Sequence, residues 1–244
     1  MRFYRRKFLN RKKKKKKLFY SIINMVHNNI ISEHNDIFYP AFNDCHVVKA
    51  LLGNRIWEKK ITELFEILIS DDDIVLDVGS YIGLHTLTLA NLSSHVYSFE
   101  PQPLIYECLS KTLAKQHLYN VTLFNIALSN KEEESFIHTN NDGNASLAGI
   151  RDNLFNHSFP CKLKSLDSYK FDKVDFIKID VEGSEWEMLD GATQTIIQNR
   201  PIIILETFKR KKNKAKLDEF CSVFSYSSTY ISADNYLLKP KLLE

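Results

Sequence analysis

Residues 74–83 read Ile-Val-Leu-Asp-Val-Gly-Ser-Tyr-Ile-Gly, an apolar run that closes on an acid and two glycines. The apolar residues around Asp77 predict a buried strand, the glycines predict a tight turn, and residues 84–90 predict a helix. This order brings backbone close to a nucleotide-like ligand, and a side chain at Gly79 would occupy the space of that ligand. The third glycine of the dinucleotide fingerprint is missing after Gly83, so the stretch alone is equally compatible with an ordinary strand-to-helix turn.

The second predicted strand, residues 95–99, favours the ligand-binding alternative because it ends at Glu100. Pro101-Gln102-Pro103 follows, a sequence that stops a strand and opens a helix. Glu100 lies about 20 residues beyond the glycine turn, where such folds place a carboxylate that accepts hydrogen bonds from both ribose hydroxyls. This order predicts an adenosine-type ligand. Asp77 before a loose turn favours S-adenosylmethionine over a nicotinamide dinucleotide, because the acid can face the cationic end of the former.

Strands and helices alternate along the chain, which predicts a largely parallel sheet covered by helices on both faces. The predicted strands are 74–78, 95–99, 121–125, 134–138, 161–164, 175–180 and 201–206, with a hairpin near 224–238. The predicted helices are 56–69, 83–92, 103–117, 184–198 and 214–222, and a polar loop is predicted over 140–156. Ligands bind at the carboxyl ends of such strands, and four acids fall there: Asp77, Glu100, Asp180 and Glu206. An acid in this position is also commonly a helix N-cap, an alternative that stays open for Asp77 and Asp180.

The charge of the chain is unevenly distributed. The 244 residues contain 33 Lys and Arg against 30 Asp and Glu, a net charge of +3. Eleven of the basic residues fall within residues 1–17, which hold no acid, so the other 22 face all 30 acids and leave the remainder at about −8. Like charges repel and little of residues 1–17 can be buried, so this segment is predicted to be a disordered basic tail. An N-terminal helical cap segment over residues 18–70 and a ligand-binding domain over residues 71–244 are predicted to follow.

The cysteines and the segment after the tail indicate the cellular compartment. Four scattered cysteines show neither a CxxC motif nor metal-ligand spacing, which is typical of reduced thiols in an intracellular protein. Residues 18–31 are too short and too polar to span a bilayer, so they predict an interfacial or domain-capping helix. The basic stretch before them resembles a signal peptide, but no small-residue cleavage site follows. We therefore expect an intracellular, cytoplasmic protein without a membrane anchor.

A longer motif carries a family resemblance. Residues 175–186, Asp-Phe-Ile-Lys-Ile-Asp-Val-Glu-Gly-Ser-Glu-Trp, followed by Leu189-Asp190-Gly191-Ala192, strongly resemble the signature of the FkbM-type methyltransferases. Shorter matching pieces occur in family order: Trp57-Glu58, the turn from Asp77, Phe99-Glu100-Pro101, Asn125 to Ser129, Leu166-Asp167, Arg200-Pro201 with Glu206, and Asn235-Tyr236-Leu237. The resemblance covers roughly residues 40 to 240, nearly everything except the tail.

This resemblance implies a fold, a cofactor and a reaction. The fold is that of a class I methyltransferase, which is Rossmann-like: a mostly parallel seven-stranded sheet with helices on both faces and an antiparallel C-terminal hairpin. The cofactor is S-adenosyl-L-methionine, and the reaction is O-methylation of a hydroxyl on a sugar, a glycan or a small metabolite. The resemblance places adenine contacts at Ile126 and Ala127. The candidate cofactor-binding residues are Asp77, Gly79, Gly83, Glu100, Ile126, Ala127 and Asp180.

Asp180 and Glu182 are the candidate catalytic residues. An alcohol is a weak nucleophile, so a carboxylate or histidine must take its proton, or a metal must lower its pKa. Asp180 is the preferred base because it ends the central strand beside the first one, and Glu182 follows within one turn. Together with Glu206 these residues could instead hold Mg²⁺, but nothing in their spacing demands a metal and none is predicted. His138 is a second candidate base, and His85 either faces the ligand or packs as a hydrogen-bonded core histidine.

The residues at the end of the strand predicted over 175–180 indicate the type of acceptor. Methyltransferases that act on planar nitrogens often carry a Pro-Pro-aromatic motif there, whereas this chain has Asp180-Val181-Glu182-Gly183, which favours a hydroxyl. Two other classes stay open. The basic tail could neutralise phosphates of RNA or of anionic lipid, although the rest of the chain is acidic. The fold could also persist as a non-catalytic nucleotide-binding module, against which the intact block over residues 175–186 argues.

Overall fold

The computed structural model describes residues 30–31, 37–38, 57–139, 157–207 and 210–242. The strands are β1 (Ile30–Ile31), β2 (Ile37–Phe38), β3 (Ile74–Val78), β4 (His95–Phe99), β5 (Val121–Phe124), β6 (Ala127–Leu128), β7 (Glu133–Thr139), β8 (His157–Lys164), β9 (Phe176–Ile179), β10 (Ile202–Glu206), β11 (Tyr226–Ser232) and β12 (Asn235–Pro240). The helices are α1 (Lys59–Leu68), α2 (Leu84–Leu92), α3 (Pro103–Lys115), α4 (Glu185–Asp190), α5 (Thr193–Asn199) and α6 (Arg210–Val223), and a 3-10 turn spans Leu166–Tyr169.

Seven of the described strands form the central sheet, in the order β11-β12-β10-β9-β3-β4-β5. The strands β10, β9, β3, β4 and β5 are parallel to one another, whereas β12 is antiparallel to both β10 and β11. The predicted mostly parallel seven-stranded sheet with an antiparallel C-terminal hairpin is therefore confirmed. The order of the strands reverses between β3 and β9, and such a switch point opens a ligand crevice at the carboxyl ends of the strands.

The inner strands are apolar because helices cover both faces of the sheet. All four residues of β9 and the last four of β3 are buried. One face packs through Leu76, Ile177 and Ile203, which come from three adjacent strands. On the other face Phe65 of α1 meets Phe176 edge to face, with ring centroids 5.7 Å apart. Full burial of each such side chain contributes about 1.5–3 kcal/mol, so this double-sided core holds the ends of β3 and β9 in place.

A smaller sheet has the order β6-β8-β7. The strands predicted over 134–138 and 161–164 are confirmed as β7 and β8, which are longer than predicted because they pair antiparallel from Glu133 to Thr139. Strand β6 was not predicted, since two residues carry no periodic signal. It pairs parallel with the end of β8.

The helix predicted over 184–198 is in fact two helices, α4 and α5. A β-carbon on Gly191 would overlap the carbonyl oxygen of Ser129, so the backbone is in direct contact with another segment at the break. The carboxylate of Asp167 then accepts hydrogen bonds of 2.9 and 2.8 Å from the backbone amides of the second and third residues of α5. This cap fixes a new helix start, and it comes from a residue that helical periodicity does not reveal.

The N-terminal part of the described chain corrects one prediction. Residues 30–31, the end of the helix predicted over 18–31, form a strand that pairs antiparallel with Ile37–Phe38, because β-branched isoleucines favour extended backbone. Helix α1 falls within the helix predicted over 56–69. The basic tail, the rest of residues 18–31 and the loop predicted over 140–156 lie outside the described residues. Where the structure describes the chain, it contains no helix whose length and apolarity would suffice to cross a membrane.

Candidate active site

Two adjacent cavities open where the central strands end. The first cavity has a volume of about 690 Å³, its open mouth included, and is lined by Val78, Gly79, Tyr81, Phe99, Glu100, Pro101, Gln102, Ile126, Ala127, Leu128, Ile137, Asp180, Val181, Glu182 and Ser184. The second cavity has about 580 Å³ and is lined by Trp57, Glu58, Gly79, Ser80, Tyr81, Leu84, His85, Lys178, Asp180, Glu182 and Glu206. Four residues line both cavities: Gly79, Tyr81, Asp180 and Glu182. The two cavities therefore share a wall, and both candidate catalytic residues are part of it.

Backbone conformation and close packing require glycine at two positions of the turn after β3. The backbone φ is +84° at Gly79 and +97° at Gly83, in the range that favours glycine. A β-carbon on Gly79 would overlap the carbonyl oxygen of Asp180, and one on Gly83 would lie 2.5 Å from a methyl carbon of Leu109. Gly79 still lines both cavities, as expected for close ligand approach. Gly83 is not among the lining residues, and its contact with a cofactor stays a prediction.

Glu100 is held at the wall of the first cavity by two backbone amides. Its Oε2 accepts a 3.0 Å hydrogen bond from the amide of Tyr81, and its Oε1 accepts one of 2.8 Å from the amide of Gln102. Burial raises the pKa of Glu100 to about 7, more than these two hydrogen bonds lower it. Each carboxylate oxygen keeps a lone pair for a further donor, so the geometry fits the predicted recognition of a ribose diol.

Asp77 lies beneath the turn and not on a cavity wall. It is fully buried, its Oδ2 accepts a 2.6 Å hydrogen bond from the hydroxyl of Thr86, and its Oδ1 lies 3.9 Å from the Nζ of Lys178. The described start of α2 has no side-chain cap, nor has that of α4, so neither Asp77 nor Asp180 is a helix N-cap. Contact between Asp77 and a cofactor stays a prediction.

Lys178 connects Asp77 to Asp180 under the shared wall. It lies within β9 and is only 4% exposed, and its Nζ is 3.2 Å from the Oδ2 of Asp180. Burial lowers the pKa of Lys178, but the carboxylates of Asp180 and Asp77 together raise it by more than burial lowers it. The ammonium group therefore stays charged. The buried ammonium fixes the Asp180 carboxylate at the junction of the two cavities.

Two further acids surround Asp180. Burial, reinforced by the charge of Asp180 and a hydrogen bond to it, raises the pKa of Glu206 to about 9. The raised pKa favours the protonated form of Glu206, which can donate a hydrogen bond to the carboxylate of Asp180. Burial, with the charges of Asp180 and Glu185, raises the pKa of Glu182 to about 8. Glu182 also has a φ of +52°, a backbone conformation that costs a residue with a side chain about 1–3 kcal/mol and that occurs often at functional sites.

The remaining predicted residues fall on different parts of the site. Ile126 and Ala127 line the first cavity together with Phe99 and Ile137, an apolar wall that fits a purine ring. His85 lines the second cavity, where its Nε2 lies 2.8 Å from the Oε2 of Glu58. His138 is not among the residues that line either cavity.

Sequence reasoning missed three residues of the site. Gln102 lines the first cavity and is 2% exposed, and neither its side-chain oxygen nor its side-chain nitrogen has a hydrogen-bond partner among the described residues. The sequence did contain a signal for Lys178, since a lysine inside an apolar strand indicates a buried ion pair. Glu58 was part of the family resemblance only; its Oε1 accepts a 3.1 Å hydrogen bond from Asn235.

Among the described residues, no group of three or more His, Cys, Asp or Glu side chains has the geometry of a metal site.

Comparison with known proteins assigns the family. A model described as the methyltransferase FkbM domain matches residues 77–230. The chain belongs to the FkbM methyltransferase family. S-adenosylmethionine is the cofactor that this family implies, and the lining of the first cavity fits it. The lining contains an acid that two backbone amides hold in place, an apolar wall, and the buried amide of Gln102, which has no partner among the described residues.

Two curated relatives are similar over part of their length. The hexuronic acid methyltransferase AglP of Haloferax volcanii is 28% identical over 144 residues, which cover 56% of this chain and 56% of that protein. The AMB antimetabolite synthetase AmbE of Pseudomonas aeruginosa is 26% identical over 187 residues, 59% of this chain and 9% of that protein. The chain thus spans about half of one relative and a small part of the other.

Solved structures show the same fold. A methyltransferase FkbM from Methylobacillus flagellatus KT superposes with a TM-score of 0.55 at 18% identity, covering 70% of this chain and 44% of the other. A putative rRNA methylase from Clostridium thermocellum superposes with a TM-score of 0.50 at 13% identity, covering 75% of this chain and 95% of the other. These likenesses agree with the class I methyltransferase fold.

Proposed function

We propose that the protein transfers the methyl group of S-adenosylmethionine to a hydroxyl of a sugar, a glycan or a small metabolite. The observation that carries this proposal is the position of Asp180, a carboxylate on the wall between the two cavities. The similarity to AglP, a hexuronic acid methyltransferase by name, supports a sugar as the acceptor.

The cofactor occupies the first cavity in this proposal. Glu100 binds the ribose, Ile126 and Ala127 contact the adenine, and the amide of Gln102 hydrogen-bonds to the adenosine. Gly79 and Asp180 lie where the first cavity meets the second. When bound, S-adenosylmethionine supplies an electrophilic methyl group on a positively charged sulfur.

The acceptor occupies the second cavity, and Asp180 takes the proton of its hydroxyl. The ammonium group of Lys178 and the proton of Glu206 hold the Asp180 carboxylate in one orientation by hydrogen bonds. Glu182 lies on the same wall and binds the acceptor beside the reacting hydroxyl. Positioning the oxygen and removing its proton are the two contributions that methyl transfer to an alcohol needs from a protein.

A transfer assay tests this function. The purified protein is incubated with methyl-labelled S-adenosylmethionine and a panel of free sugars, glycans, hydroxylated metabolites, lipids and RNA. We expect label on a hydroxyl of a sugar or metabolite, located by mass spectrometry. Label on a nitrogen would contradict O-methylation, and no transfer to any acceptor would favour the non-catalytic binding module.

The basic tail favours a second candidate, a methyltransferase whose acceptor is RNA or anionic lipid. Its eleven positive charges would contact phosphates, and binding would weaken as salt rises. The same panel, run at low and high salt with and without residues 1–17, separates the candidates. Salt-sensitive transfer to RNA or lipid that requires the tail would replace the sugar proposal.

A further inference from the structure

The second cavity is rich in carboxyl groups. It is lined by four carboxyl groups, on Glu58, Asp180, Glu182 and Glu206, and Lys178 is the only lysine or arginine among its described lining residues. The proposed acceptor site is defined by this cavity and by the wall that it shares with the first cavity. The carboxyl groups determine which acceptors can enter it.

Lys178 cannot compensate an anionic acceptor. Its Nζ already lies 3.2 Å from the carboxylate of Asp180 and 3.9 Å from that of Asp77, and its side chain is 5% exposed. A third anion would have to take this lysine away from the buried carboxylate of Asp77 and the partly exposed carboxylate of Asp180, which would then lose their counter-charge.

Glu58 adds a second carboxylate to the lining of this cavity. Its Oε2 lies 2.8 Å from the Nε2 of His85 and its Oε1 accepts a hydrogen bond from Asn235, so both oxygens are held in place. Burial, and after it the charge of Asp180, raises the pKa values of Glu182 and Glu206, so this part of the site disfavours a further negative charge. Carboxylates accept hydrogen bonds from hydroxyl and ammonium groups, and Trp57 adds an aromatic surface.

Resting on the proposed function, we infer that the second cavity selects uncharged or amine-bearing polyhydroxylated acceptors and rejects acceptors with a carboxylate or phosphate close to the reacting hydroxyl. A neutral sugar can donate its hydroxyl protons to these side chains. An anionic sugar brings an uncompensated charge next to the carboxylates of Glu58 and Asp180, and such a juxtaposition of like charges disfavours binding strongly.

Matched pairs of acceptors test this inference. Methyl glycosides of hexoses, of the corresponding hexuronates and of the corresponding amino sugars differ in one substituent each. With labelled S-adenosylmethionine, we expect kcat/KM for the neutral or amino member to exceed that for the uronate by about tenfold or more. The ratio between neutral and uronate members is then measured in Glu58→Gln, where the cavity has one charge less, and should fall by about threefold or more.

Glu63→Gln is the matched control, because it removes the same charge from a side chain that is 55% exposed on α1. Its ratio should equal that of the wild type. The wild-type ratio is also measured at low and high salt, where screening should reduce it, so the test holds even when Glu58→Gln folds poorly.

The outcomes separate the inference from the function on which it rests. Transfer to hydroxyls with equal or better use of uronates would overturn the inference and leave O-methylation intact. A neutral preference that neither Glu58→Gln nor salt reduces would overturn the role of charge. Transfer to no hydroxyl acceptor would overturn both.

Discussion

Gly79 and Asp180 are in backbone contact at the centre of the site. A β-carbon on Gly79 would overlap the carbonyl oxygen of Asp180, and the φ of Gly79 is +84°. The turn after β3 therefore packs against the residue that follows β9, and this contact places the candidate base beside the candidate cofactor loop. The glycine that the sequence assigns to ligand approach is thus required by the fold even without a ligand.

Gly79→Ala should reduce the free energy of unfolding by about 2–4 kcal/mol, because it adds both a steric overlap and an unfavourable φ. Gly183→Ala is the matched control: its φ is +101°, but a β-carbon there meets nothing within 4 Å. It should cost only the backbone strain, about 1–2 kcal/mol. Urea unfolding of both variants measures the difference, and equal losses would show that the contact with Asp180 is not what requires glycine.

The sequence predicts the sheet better than it predicts the site. Strands β3 and β4 have the predicted bounds because each is an apolar run closed by glycine or by proline, which are local signals. The cap from Asp167 onto α5 joins segments far apart in the chain, so no local pattern shows it. The same holds for the contacts of Asp77 with Thr86 and Lys178, which no local pattern shows. The predicted contact of Asp77 with a cofactor stays a prediction.

Glu100→Gln should weaken binding of S-adenosylhomocysteine. The carboxylate accepts two hydrogen bonds from backbone amides and would accept others from the ribose. The side-chain amide of glutamine can accept only some of these hydrogen bonds. Loss of charge-assisted hydrogen bonds costs about 1.5–3 kcal/mol, which corresponds to roughly ten- to a hundredfold in affinity. Calorimetric titration measures it, and unchanged affinity would remove the ribose assignment.

Gln102→Leu should separate cofactor binding from stability. The buried amide has no partner among the described residues, so leucine should leave the free protein as stable or make it more stable. If the amide bonds to the cofactor, affinity for S-adenosylhomocysteine should fall by about three- to tenfold. Gln116→Leu is the control, since its side-chain nitrogen is also buried without a partner among the described residues but it lines neither cavity. Equal affinities in both variants would argue against a role for Gln102.

Asp180→Asn should act on turnover and not on cofactor binding. Asparagine keeps the shape of the side chain but cannot take a proton, so kcat should fall about 10²–10⁴-fold while affinity for S-adenosylhomocysteine is nearly kept. Asp190→Asn is the control, because it makes the same substitution at an exposed residue, the last of α4. Normal turnover in Asp180→Asn would show that another group is the base.

Glu206→Gln should change how stability depends on pH. The folded protein raises the pKa of Glu206 from 4.5 to about 9, so folding favours the protonated form. That contribution is complete below the unfolded pKa and is lost as the pH rises through the folded one, because the unfolded chain ionises first. Glutamine is neutral throughout and avoids this loss. The melting temperature of Glu206→Gln relative to the wild type should therefore increase steadily from about pH 5 to about pH 9. Glu63→Gln, whose carboxylate is exposed, should show no such trend, and a parallel pH profile for Glu206→Gln and the wild type would mean that Glu206 is ionised in the folded protein.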